Sequence, residues 1–180
     1  DSVFSGEASE PLDELAETGP INVYGESKLA GEKALQEIVP NNSLVVRTAS
    51  LHGVLGENFV STMLILFKEK ETVSVVNDQI MSPTYAGWLA EVLLDLARMN
   101  DVVGLLHATG QGAISWFDFA LEIKKQSGLD CEIKPVRHTE LKRAARRPRY
   151  SALSTRSLAA ILGRQSISWQ EGLRLHLERL

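Results

Sequence analysis

Short apolar runs of strand length alternate with helix-length patterns along most of this chain, and that alternation constrains its fold most. Leu44-Val45-Val46, Val73-Val75-Val76 and Leu105-Leu106-His107 are too short for helices and apolar enough for buried strands. A helical pattern runs from about Asn22 to Ile38, where Pro40 stops it. Asn58 caps a second helix carrying Phe59, Met63, Leu64 and Phe67. Pro83 opens a third, from about Thr84 to Arg98, with Leu89, Val92, Leu93 and Leu96 on its apolar face. Ser115 has Asp118 three residues on and caps a fourth, which carries Trp116, Phe119 and Ile123. Glu132 to Val136 reads as a strand, and two helices near 155–162 and 168–180 follow. Val3-Phe4 reads as a strand end leading into a loop. Strands alternating with helices in this way specify an α/β fold.

Composition narrows the function. The 180 residues suffice for one domain and a little more. A net charge of −4 argues against a general nucleic-acid binder. No apolar run approaches the roughly 18 residues of a membrane span. The single cysteine, Cys131, excludes an internal disulfide, and a cytoplasmic location is the expectation. His52, His107, His138 and His176 are widely spaced and form no ligand pattern with Cys131, so no metal site is expected. No G-x-S-x-G elbow marks a serine hydrolase. Trp88, Trp116 and Trp169 sit in helical patterns and read as core residues.

One segment carries chemistry. In Asn22-Val-Tyr24-Gly-Glu-Ser-Lys28, tyrosine and lysine stand at i and i+4, on one helix face. A free phenol titrates near 10, too high for ready exchange at neutral pH, and a neighbouring ammonium favours the phenolate. Such a pair suits proton donation to an oxygen whose carbon receives a hydride, and the lysine can also hydrogen-bond a ribose diol. Gly25 and Gly31 weaken the helix, and close approach of a cofactor or a neighbouring backbone would explain them. The spacing alone permits this chemistry without establishing it.

The wider context is more specific. Asn22 to Glu32 resembles the active-site helix of extended short-chain dehydrogenases/reductases, and within them most the dTDP-4-dehydrorhamnose reductase family. Ser2-Val3-Phe4-Ser5-Gly6 is similar to the tail of that family's S-T-D-Y-V-F-x-G stretch. Arg47-Thr48-Ala49, Asn58-Phe59-Val60-x-Thr62-Met63-Leu64, Val76-Asn77-Asp78-Gln79-x-x-Ser82-Pro83-Thr84, His107-Ala108-Thr109-Gly110 and Arg147-Pro148 match further family stretches in order.

The resemblance implies a doubly wound nucleotide-binding fold with a small substrate-binding lobe, the chain passing between the two more than once. It implies NADPH or NADH as cofactor and a nucleotide-sugar substrate reduced at a 4-keto group. Tyr24 and Lys28 would be catalytic and would hold the cofactor, with Thr48 beside them. Asn58 and Arg147 would meet the diphosphate, and His52 would offer a polar contact to the sugar. The remaining cations of residues 137–149 read as a solvated basic face. The family's Gly-rich nucleotide-binding turn and its catalytic Ser/Thr would fall before Asp1, so residues 1–180 read as the C-terminal portion of one reductase unit. Gly110-Gln-Gly112 is a poor substitute for that turn.

Ser50 departs from the pattern, which usually has a tryptophan packing on the sugar there, so the resemblance leaves the exact sugar open. It also leaves open NADH against NADPH, and monomer against homodimer. An epimerase or dehydratase of the same family, or a non-catalytic regulatory subunit of the same fold, stay as alternatives.

Overall fold

The computed structural model describes residues 1–99, 101–141 and 144–180. Lys142 and Arg143 of the basic run therefore lie outside the described residues. The first helix, α1 (Val23–Ile38), is capped by Asn22, whose side-chain oxygen accepts the Gly25 N–H at 2.8 Å. Strand β1 (Leu44–Arg47) follows, then the two-residue β2 (Leu51–His52) and helix α2 (Phe59–Glu69). Next come β3 (Thr72–Val76), β4 (Ile80–Met81), β5 (Thr84–Tyr85) and α3 (Ala86–Ala97). The chain continues through β6 (Gly104–His107), β7 (Ile114–Ser115), α4 (Trp116–Ser127) and β8 (Glu132–Val136). It ends on α5 (Arg156–Leu162) and α6 (Trp169–Leu177).

The strands pair two by two across long sequence gaps. β1 lies parallel to β6, β2 parallel to β5, and β3 parallel to β8, while β4 and β7 run antiparallel. Parallel pairs need crossover connections, and here helices supply them. The fold is α/β.

Two main cores form on the helix faces. One gathers Val60, Met63 and Phe67 of α2, Val73 and Val75 of β3, and Phe119 and Ile123 of α4. The other gathers Trp88, Leu89, Val92 and Leu96 of α3 with Leu106 of β6 and Leu158 of α5. The apolar spacing of α2, α3 and α4 is thus what holds each pair of strands. Among the described residues, no helix is long and apolar enough to cross a membrane.

Two sequence expectations change. Val3 and Phe4 are buried but form no strand, because the Val3 carbonyl accepts the Gly19 N–H at 2.9 Å instead of entering a ladder. Thr84 and Tyr85 do not start a helix. They pair with Leu51 and His52 as β5, and α3 begins at Ala86.

Candidate active site

Helix α1 is placed against β1 by a buried ion pair. The Arg47 guanidinium meets Glu32 through two bonds, Nε to Oε1 at 2.9 Å and Nη2 to Oε2 at 2.6 Å. Both side chains are almost wholly covered, at 6% and 11% exposure, so the fork of charge-assisted bonds compensates their desolvation. Gly25 lets the start of α1 approach closely. A Cβ there would lie 2.1 Å from the Ser2 carbonyl oxygen. Gly31 meets nothing within 4 Å, so close approach explains one of the two glycines and not the other.

These constraints leave Tyr24 in the open, 62% exposed, on the first turn of α1. Lys28 lies on the same face, with Nζ 5.3 Å from the centre of the Tyr24 ring. Thr48 follows the C-terminal end of β1, the end where ligands bind in sheets of this kind. Its Oγ1 is buried without a hydrogen-bond partner. An exposed phenol, an exposed ammonium and an orphaned buried hydroxyl fit the nicotinamide-ribose end of a dinucleotide. No Gly-rich turn for its phosphates occurs in the chain.

Tyr24 lines a cavity of about 400 Å³. Its walls include Ser50, Gln79, Trp116, Arg146 and Arg147. The arginines arrive on a braced segment. Asn22 donates from Nδ2 to the Arg146 carbonyl at 2.9 Å, Ile80 N–H donates to the Arg149 carbonyl at 2.7 Å, and Tyr150 N–H donates to the Gly6 carbonyl at 3.1 Å. Gly6 has φ +87°, and a Cβ there would come within 2.6 Å of Pro148 Cα. Arg146 and Arg147 also border a second cavity of about 710 Å³, with Asp78, His138 and Tyr150. There His138 holds Asp78 through both its backbone N–H, at 2.9 Å, and Nδ1, at 2.7 Å. Burial works to raise the Asp78 carboxyl, but the His138 hydrogen bonds outweigh it and hold it below the usual carboxylate range.

Ser50 adopts φ +45°, the one positive φ among the described non-glycine residues. Left-handed backbone at a cavity wall in a residue with a Cβ marks local strain.

The structure puts Tyr24 and Arg147 on one cavity wall; Lys28 stands beside the Tyr24 ring and Thr48 at the end of β1, both outside the cavity lining. It places His52 and Asn58 differently. His52 does not line the cavity, because the alternation of β2 turns Leu51 outward and His52 inward. Its Nδ1 lies 3.0 Å from Nδ1 of His176, with the rings stacked at 5.2 Å. Burial, and then the His176 charge, push His52 down to about 3. Burial also lowers His176. Asn58 is occupied as a cap. Its oxygen accepts Ser61 N–H at 3.1 Å, and its Nδ2 donates to the Gly53 and Gly56 carbonyls. It does not line the cavity.

Trp116, expected in the core, packs against the core cluster and also stands on the cavity wall. It is the first residue of α4, on the same face as Phe119 and Ile123, so one side of it packs on the core while the other reaches the cavity at the helix mouth. Asn22, Gln79 and Trp116 were not singled out from sequence as site residues. Asn22 reads from sequence only as the start of the helical pattern. The other two join the site only through pairing between distant segments. Among the described residues, no three His, Cys, Asp or Glu side chains come together as a metal site.

Comparison with known proteins places these residues in a family. The RmlD substrate binding domain family matches residues 1–180. The spore coat polysaccharide biosynthesis protein SpsK of Bacillus subtilis (strain 168) is 37% identical over 178 residues, 99% of this chain and 62% of that protein. The dTDP-4-dehydrorhamnose reductase of Escherichia coli (strain K12) is 37% identical, over 100% of this chain and 63% of that protein. The crystal structure of dTDP-4-dehydrorhamnose reductase from Bacillus anthracis in complex with NADP superposes with a TM-score of 0.93 at 38% identity, covering 99% of this chain and 63% of that one. The chain thus spans less than two thirds of the length of the curated relatives it matches.

Proposed function

The chain belongs to the RmlD substrate-binding-domain family, and on that premise we propose that it forms the substrate-holding part of an NADPH-dependent reductase of nucleotide-activated 4-keto-deoxysugars. The observation that carries this reading is one cavity bordered by an exposed tyrosine and by arginines, with a lysine over the tyrosine ring. Likeness along the whole of this chain to dTDP-4-dehydrorhamnose reductases, one of them in complex with NADP, supports the reaction class and the cofactor.

In this reading the residues divide the work. NADPH, when bound, supplies hydride to the keto carbon. The Tyr24 hydroxyl donates a proton to the oxygen of that carbon, which becomes the 4-hydroxyl. Lys28 acts on the Tyr24 phenol through its charge and donates to a ribose hydroxyl. Thr48 Oγ1 gains a partner at the same end of the cofactor. Arg147 binds the diphosphate through its guanidinium fork, which matches phosphate oxygens. Asn58 and His52 act indirectly, by fixing the loop before α2 and the core behind β2. The phosphate-cradling turn belongs to a nucleotide-binding part N-terminal to Asp1, making these residues the C-terminal portion of one unit. A cytoplasmic location, where nucleotide sugars and NADPH meet, and a homodimer belong to the same proposal.

The test uses the protein carrying this chain together with its nucleotide-binding part, mixed with NADPH and dTDP-4-dehydrorhamnose. Loss of NADPH absorbance is expected, and Arg147→Ala should raise KM roughly tenfold or more by removing a charge-assisted contact. No oxidation of the cofactor would refute the reaction. That result together with tight sugar-nucleotide binding would favour the regulatory-subunit alternative.

A further inference from the structure

The cavity beside Tyr24 has two unlike walls. Tyr24, Gln79, Arg146 and Arg147 offer hydroxyl, amide and cationic groups, whereas Ile80, Met81 and Trp116 offer apolar surface. Among the described residues lining it, Tyr24 and Trp116 are the aromatic ones, and Ser50 leaves its own stretch of wall small. Trp116 is held in place. Its backbone N–H donates to the Gln79 backbone carbonyl at 3.3 Å. Its ring lies 4.6 Å from that of Phe59 at an interplanar angle of 54°, and Phe59 stacks on Phe119 at 5.8 Å and 17°. Phe119 is fully buried. A continuous series of rings therefore runs from the core to the cavity wall. Trp116 itself stays partly exposed at the cavity end of that series.

This arrangement suits one part of a sugar nucleotide better than the rest. A pyranose presents a C–H face, and a 6-deoxysugar ends in a methyl group where a common hexose has a hydroxyl. Aromatic faces take such apolar surface, while phosphates and a keto oxygen need the opposite wall. We propose that Trp116, backed by Phe59, is the wall on which the deoxysugar packs, and that it is a specificity-determining residue for the reaction assigned to Tyr24. The proposal rests on the reductase reading. It orients the substrate: diphosphate to the arginines, 4-oxygen to Tyr24, C–H face and methyl to the indole. A 6-hydroxy analogue would press an unpartnered hydroxyl on that wall and bind roughly tenfold or more worse.

The experiment compares Trp116→Ala, Trp116→Leu and Trp116→Phe in the full-length protein, with thermal melting to establish folding. Each is titrated with dTDP-rhamnose, its 6-hydroxy analogue, and dTDP alone. Trp116→Ala should weaken dTDP-rhamnose binding about tenfold or more, narrow the preference over the 6-hydroxy analogue, and leave dTDP within about twofold. Trp116→Phe should keep most of the affinity. A folded Ala or Leu variant with the parent's affinity and preference would overturn the proposal. So would an equal loss for dTDP alone, which would put the indole against the nucleotide. A parent that binds dTDP-rhamnose but oxidises no NADPH would count against the reductase reading, while the binding comparison would still decide the role of Trp116. A parent that binds no sugar nucleotide would refute both.

Discussion

Ser50 borders the cavity with its backbone in the left-handed region, where an L-residue with a Cβ costs about 1–2 kcal/mol. Ser50→Gly should therefore raise unfolding free energy by about 1 kcal/mol in urea titration; a loss of stability would show that the serine side chain contributes more than its conformation costs. The buried pair His52–His176 makes a second prediction. His52 titrates at about 3 in the folded protein, against 6.5 when free. Above pH 6.5 the folded and unfolded states bind the same number of protons there. Below it the unfolded state gains a proton that the folded state refuses. Stability should then fall by about 1.4 kcal/mol per pH unit for this one group as pH drops from 6.5 toward 3, with His176 acting in the same direction. His52→Phe should flatten the decline between pH 7 and pH 5. Equal slopes for variant and parent would contradict the assignment. His52 also shows where sequence misleads: beside a loop its ring reads as a substrate contact, and only the inward turn of a two-residue strand reveals a core position.

At the scale of elements, caps made two of the helices legible, those that Asn58 and Ser115 open. Asn22, Asn58, Ser115 and Ser168 each accept a backbone N–H from the first turn they precede, and each lies where a polar residue interrupts an apolar pattern. The short strands were not legible. β2, β4, β5 and β7 have two residues each, too few for a periodicity, and β2 and β5 exist only through pairing across more than thirty positions. The two glycines of α1 separate in the same way. Gly25→Ala should cost about 1–3 kcal/mol, because the added methyl meets the Ser2 carbonyl. Gly31→Ala, into open space, should instead stabilise the chain by up to about 1 kcal/mol. Thermal melting of the two variants side by side would test this, and a similar effect of both would contradict the close approach at Gly25.

At the scale of the molecule, the site is assembled from segments far apart in sequence: the first turn of α1, the stretch around β4, the mouth of α4, and the braced arginines before α5. The i, i+4 spacing exposed Tyr24 and Lys28, but the meeting of Tyr24 with Arg147 and Trp116 depends on how Ile80 bridges to Arg149 and Ser151. Partial burial of α1 fits the same picture. Gly25 is its one buried residue, and Val23 and Ile38 stay 78% exposed, so its outer face is free to meet the nucleotide-binding part the proposal requires. The central claim is that Tyr24 donates the proton that completes a hydride reduction. It is tested most directly by kcat of Tyr24→Phe for NADPH oxidation with dTDP-4-dehydrorhamnose, with dTDP-rhamnose affinity measured alongside. The account predicts kcat about 10²–10⁴-fold lower with affinity little changed; a phenylalanine variant as fast as the parent would contradict it.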